Sequence, residues 1–160
     1  MAWMNPVFDR TQKDVDLATR KIAEWIASDI NGTTNVAYEL KGCLNVSDIN
    51  RIEGNIKFLS QELSKYYYYP STSTKAWISS DVPDEREIKR ILDSIKGIIA
   101  AFYKPKNAPN VPNRLLRYEE VNDVEKNLFL IKELLDGMVN SFKKSGTFQS
   151  GKKMFLPIRR

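Results

Sequence analysis

Apolar residues recur along the chain at alternating spacings of three and four. The sets are Ile49, Ile52, Ile56, Leu59 and Leu63; Ile88, Ile91, Ile95, Ile98 and Phe102; and Val121, Val124, Leu128, Ile131 and Leu135. Such spacing places each set on one face of an α-helix. A shorter upstream set, Val15, Ala18, Ile22 and Trp25, predicts a fourth helix. Helix-start chemistry precedes each stripe. Thr11 with Asp14 resembles a capping pair, Ser47 can cap ahead of Asp48, Asp84 faces Glu87, and Glu119, Glu120 and Asp123 open the last run. Breaks fall at Asn31 to Asn35, at Pro70 with the Ser/Thr run behind it, and at Pro105, Pro109 and Pro112. Helices are predicted from Thr11 to about Asp29, over Leu44–Leu63, from Asp84 to about Tyr103, and over about Glu119–Phe142.

The predicted fold class is all-α: a bundle of about four amphipathic helices with long loops and a short extended or β C-terminal segment. Residues 1–10 read as an N-terminal arm, 11–142 as the bundle, and 143–160 as a basic extended segment. Equivalent stripe positions lie 34, 39 and 33 residues apart (Val15, Ile49, Ile88, Val121), which suggests an imperfect helical repeat. The match of Ile49-Asn50-Arg51-Ile52 to Ile88-Lys89-Arg90-Ile91 favours duplication, although any set of amphipathic helices shares such spacing. The expected core stripe is Ile49, Ile52, Ile56, Leu59, Leu63, Ile88, Ile91, Ile95, Val121, Val124, Leu128 and Ile131.

Composition changes this picture only at the C-terminus. A chain of 160 residues, 42% hydrophobic and 28% charged, suits one soluble globular domain. No apolar run approaches a membrane span, and the first residues lack the pattern of a signal peptide, so synthesis in the cytoplasm is expected. Six of the 25 basic residues (Lys143, Lys144, Lys152, Lys153, Arg159 and Arg160) follow Ser141 with no acid among them. The rest of the chain is near neutral, so the formal charge of +5 belongs to this tail. A basic tail can meet nucleic acid, an acidic partner or an anionic polymer, or can simply aid solubility.

No enzyme is expected. The chain has no histidine, a single cysteine (Cys43) and only dispersed glycines. The commonest general base, the usual zinc clusters and a phosphate-cradling loop are therefore missing, and no catalytic, cofactor or metal residue is assigned. Asp14 and Asp16 point apart on a helix, and acids in a first turn are ordinary. Interaction residues are better represented. Trp3 and Phe8 in the arm, Tyr66, Tyr67, Tyr68 and Tyr69 around a helix end, Trp77 beyond it, and Phe148, Phe155 and Ile158 in the tail offer apolar surface for a partner. Two of the tyrosines can equally pack inward against Trp77 while two cover the loop.

The stretch Lys41 to Ile56, KGCLNVSDINRIEGNI, followed by Phe58-Leu59, resembles a module in minor structural and tail proteins of phages of Gram-positive bacteria. Phe8 to Val15 (FDRTQKDV), Trp77 with Asp81-Val82-Pro83, Val121 to Glu125 (VNDVE) and Ser145-Gly146-Thr147-Phe148 are similar to the same proteins. The resemblance implies a virion structural role in the tail, baseplate or an attached fibre, and it carries over no catalytic residue. It implies other virion proteins as partners, with symmetric copies of the chain expected beside them. Two alternatives remain open: a nucleic-acid-binding module using the basic C-terminus, and a tail component holding host glycan through the tyrosines and Trp77.

Overall fold

In a computed structural model, residues 2–28 and 39–144 are described. Four helices and no strand occur among them: α1 (Gln12–Ser28), α2 (Val46–Ser64), α3 (Glu85–Ala101) and α4 (Tyr118–Lys144). None is long and apolar enough to cross a membrane. The predicted extended segment at Phe148, Phe155 and Ile158 lies outside the described residues.

Helix starts follow local chemistry. The Asp84 carboxylate accepts from Glu87 N at 2.8 Å, and Asp14 accepts from Thr11 N at 2.8 Å. Ser47 is not the cap of α2. It lies within the first turn, and Asn45 takes the cap position, donating its backbone N–H to Asp48 at 2.9 Å. Glu120 accepts from Leu116 N and Arg117 N and so seals the entry to α4.

Paired contacts fix the direction of the helices. Arg51 early in α2 meets Glu125 early in α4, and Tyr66 just past α2 stacks on Phe142 late in α4. Glu53 meets Arg90, while Tyr68 meets Phe102 at the end of α3. Helices α2, α3 and α4 therefore run parallel. A parallel neighbour cannot be reached by a short turn, so the chain must travel back along the bundle before each new helix. Residues 70–78 do this: Ser71 lies on Gly97, Ser73 on Ser94, Lys75 on Glu53 and Trp77 on Asn50. A Cβ on Gly97 would sit 2.4 Å from the Ser71 carbonyl oxygen, so only glycine admits the returning chain there. Before α4 a second return segment buries Pro105 and Leu115 and packs Val111 on the core.

The arm plays the same part for α2. Met4 bonds Asn55, Val7 bonds Glu125 and Arg10 bonds Asn122, so the arm runs backwards along α2 and α4. An extended segment followed by a helix thus occurs three times, with α1 inserted between arm and α2. Glu53 and Arg90 pair across 37 residues, Arg51 and Glu125 across 74, which is one and two such units.

This corrects the place of the first helix. Every predicted core-stripe residue is buried except Ile88, which is partly buried against the cluster. The upstream stripe, however, does not close on the other three. Only Ala18 of α1 is buried, and Ile22, Trp25 and Ile26 are 39%, 36% and 64% exposed. Three parallel helices with their return segments already enclose the core, and most of α1 stays outside it. Leu128→Ala is expected to cost about 2–5 kcal/mol in urea denaturation. Ile22→Ala should stay within about 0.5 kcal/mol, as for an exposed position. Equal costs would place α1 in the core.

Candidate functional site

The apolar stripes leave three grooves between parallel helices, and an extended segment laid in a groove brings its own unpaired peptide groups. Those groups need partners once they leave water. Three asparagines supply them in the same way. Asn55 accepts from Met4 N at 3.0 Å and donates to Met4 O at 2.8 Å. Asn122 does so with Arg10 at 3.3 and 2.9 Å, and Asn50 with Trp77 at 2.9 and 2.9 Å. A carboxamide carries one acceptor and one donor side by side, which matches the N–H and C=O of a single extended residue.

Charges complete both clasps. On one side, Arg10 is buried and donates to Asp48 at 2.7 Å and to Glu125 at 3.1 Å. Arg51 donates to Glu125 through Nε at 2.9 Å and Nη2 at 2.7 Å, and also to Asp48. The second Glu125 oxygen accepts from Val7 N at 2.7 Å. Two guanidinium groups thus balance two carboxylates, so the cluster is neutral as a whole. On the other side, buried Glu53 accepts from Trp77 Nε1 at 3.0 Å and Lys75 N at 3.0 Å, and pairs with Arg90. Burial alone would raise the Asp48 carboxyl, but the Asn45 N–H and the Arg51 and Arg10 guanidinium groups outweigh it and hold the group below its ordinary value. Arg51 is raised, first by its hydrogen bonds to Glu125.

The sequence-predicted interaction residues divide into two groups. Trp3 and Phe8 are not free: Trp3 lies 5.6 Å from Phe58 and Phe8 lies 5.3 Å from Phe129, ring centre to ring centre. Trp77 is buried with its N–H committed to Glu53, so neither a partner nor a sugar can stack on its face from solvent. The tyrosines alternate. Tyr66 and Tyr68 turn inward, against Phe142 and Phe102 rather than against Trp77, while Tyr67 and Tyr69 are 84% and 70% exposed. Tyr67 also holds a φ of 66°, the left-handed position that ends a helix and usually belongs to glycine. Phe148, Phe155 and Ile158 lie outside the described residues.

Arg10, Asn55, Asn122, Glu53 and Glu125 were absent from the sequence-level set of interaction residues. One signal was available. Glu53 and Glu125 stand four residues after Ile49 and Val121, beside the apolar stripe where a solvated acid has no place.

Apolar surface also remains open elsewhere. Between Phe102 to Lys106 and the second half of α4, a groove of about 610 Å³ is floored by Leu134, Gly137 and Met138. Tyr103 stands 61% exposed at its edge. Among the described residues no three cysteine or carboxylate side chains converge as metal ligands. No protein-family model, no curated protein and no solved structure matches the chain. Fold and site together define a clasped bundle of parallel helices carrying exposed apolar faces.

Arg10→Met leaves two buried carboxylates with one guanidinium and is expected to cost about 3–5 kcal/mol in urea denaturation. Adding Glu125→Gln should recover part of that loss, and strict additivity would show that the two groups are uncoupled. The unfolded chain binds a proton at Asp48 more readily than the folded one. Its contribution is therefore complete above the ordinary carboxylate value, about pH 4, and is lost as pH falls below it. Wild type should lose stability more steeply than Asp48→Asn between about pH 4 and 2; parallel curves would remove Asp48 from the account. Tyr67→Gly relieves the left-handed backbone and should raise stability by about 0.5–1 kcal/mol, measured as a higher urea midpoint.

Proposed function

We propose that the chain is a structural subunit of a phage virion, placed in the tail, baseplate or an attached fibre, and that it works by non-covalent assembly. The observation that carries this reading is the apolar stripe of Ile22, Trp25 and Ile26 left exposed on α1, while α2, α3 and α4 bury their stripes against one another. Contiguous apolar surface of this kind marks a docking face in a soluble protein. The resemblance to phage tail modules supports it from a second direction. Its central phrase, Lys41 to Ile56, contains Asn50, Glu53 and Asn55, three of the residues that clasp the return segments.

The nucleic-acid reading has no comparable support. Its basic residues beyond Lys144 lie outside the described region, and many helical cations there pair with acids, Lys89 with Asp93 and Lys132 with Asp136 among them. The glycan reading loses Trp77 and keeps only Tyr67 and Tyr69.

Mass spectrometry of purified particles should find the chain at a fixed ratio to other virion proteins. A variant lacking Phe148 to Arg160 should fold with unchanged helix content yet be depleted from particles. A chain present in the lysate and missing from particles overturns the proposal.

A further inference from the structure

The clasps repeat from groove to groove when α2, α3 and α4 are superposed at Ile49, Ile88 and Val121. Between α2 and α4, Asn55 of the first helix and Glu125 and Asn122 of the second hold the arm, and Arg51 pairs with Glu125. Between α3 and α2, the equivalent positions are Ser94 of the first and Glu53 and Asn50 of the second. They hold residues 73–77, and Arg90 pairs with Glu53. Ser94 does for Ser73 what Asn55 does for Met4. It accepts from the N–H at 3.1 Å and donates to the carbonyl oxygen at 3.2 Å.

By the same register the groove between α4 and α3 falls to Asn127 and Asp123 of the first helix and to Leu92 and Lys89 of the second. Here the pattern lapses. Leu92 offers no polar atom, Lys89 pairs with Asp93 on its own helix, and Asp123 stands where the other two grooves have an arginine. Asn127 is fully buried, yet it donates only to the Asp123 carbonyl of its own helix at 2.8 Å, and its Oδ1 has no partner.

The segment that returns before α4 differs accordingly. Among the described residues, none from Lys104 to Asn113 hydrogen-bonds to a core helix. Lys104 donates to Asn110 and the Ala108 N–H to Pro105, both within the segment. Pro105, Pro109 and Pro112 bring no N–H that needs an acceptor. The hold is apolar: Pro105 and Leu115 are buried, and Val111 lies against the core.

We propose that residues 104–115 form a strap that lifts from the bundle as a unit, while the arm, residues 71–77 and the three core helices stay clasped. A region with few buried contacts and no protecting hydrogen bonds opens well short of global unfolding. Both flanking helices keep their ends when it lifts. The Phe102 N–H is bonded to Ile98 at the close of α3, and Glu120 holds Leu116 and Arg117 at the entry to α4. The strap belongs to the single chain, so it stands or falls independently of the assembly reading.

The test is trypsin digestion of the folded full-length protein without denaturant, with the rate at each site followed by mass spectrometry. Lys106 and Arg114 lie in the strap, and Lys75 lies in the clasped segment. Cleavage requires the chain to leave the body locally, so both strap sites should be cut at least roughly tenfold faster than Lys75. The two halves of a chain cut in the strap should remain associated in gel filtration, because Arg51, Glu125 and the arm still join them. Asn50→Ala removes the clasp on Trp77 and should speed cleavage at Lys75 relative to Lys106 by at least roughly fivefold, the loss of one buried hydrogen-bonded pair. Reading the ratio cancels any general loss of stability. Lys75 cut as fast as the strap sites, halves that separate, or an unchanged ratio in Asn50→Ala each overturns the proposal.

Discussion

Parallel packing of α2, α3 and α4 is the constraint from which the rest of the molecule follows. Antiparallel neighbours are joined by short turns in water, but parallel ones force the chain back along the bundle each time. The return segments fall into the grooves between helices, where their peptide groups lose solvent. Each lost hydrogen bond with water costs roughly 1–3 kcal/mol unless replaced. Asn50, Asn55 and Asn122 replace them residue by residue, and Glu53 and Glu125 bind both a return segment and a neighbouring arginine. The polar clasp is thus the condition on which the apolar core can close.

The arm belongs to that scheme and is no appendage. With Arg10 withdrawn, Asp48 and Glu125 would share Arg51 alone, leaving one negative charge buried without a counter-ion. The groove between α2 and α4 therefore demands a guanidinium, and the chain provides it before its first helix begins. The surfaces the scheme does not consume are the outer half of α1, the groove beside Tyr103, and the exposed tyrosines.

How legible this was depends on the kind of signal each part carries. The stripes from Ile49, Ile88 and Val121 report burial directly, since a period of three and four residues has few other causes. Helix α1 carries the same period and is nonetheless peripheral, because periodicity shows that a helix has an apolar face and not what covers it. The direction of the helices was hidden as well; a 20-residue connection reads as a loop whether or not it lies in a groove. Trp3 and Trp77 looked available to partners because both stand in segments without helical pattern. Their partners, Phe58 and Glu53, are distant in sequence and become neighbours only when the chain doubles back. Four of the clasp residues, Asn50, Arg51, Glu53 and Asn55, sat in plain view inside NRIEGN, where polar side chains flank Ile52. A sequence does not say whether such a group faces water or a backbone.

Amide hydrogen exchange tests the clasped-groove account most directly. If the arm and the first return segment are held as described, the N–H groups of Met4, Val7, Arg10 and Trp77 should exchange as slowly as those in the middle of α2. They lie in extended chain, where no helix protects them, so only the Asn and Glu side chains can account for that slowness. Exchange of these four amides at the rate of an unstructured peptide, with α2 still protected, would contradict it.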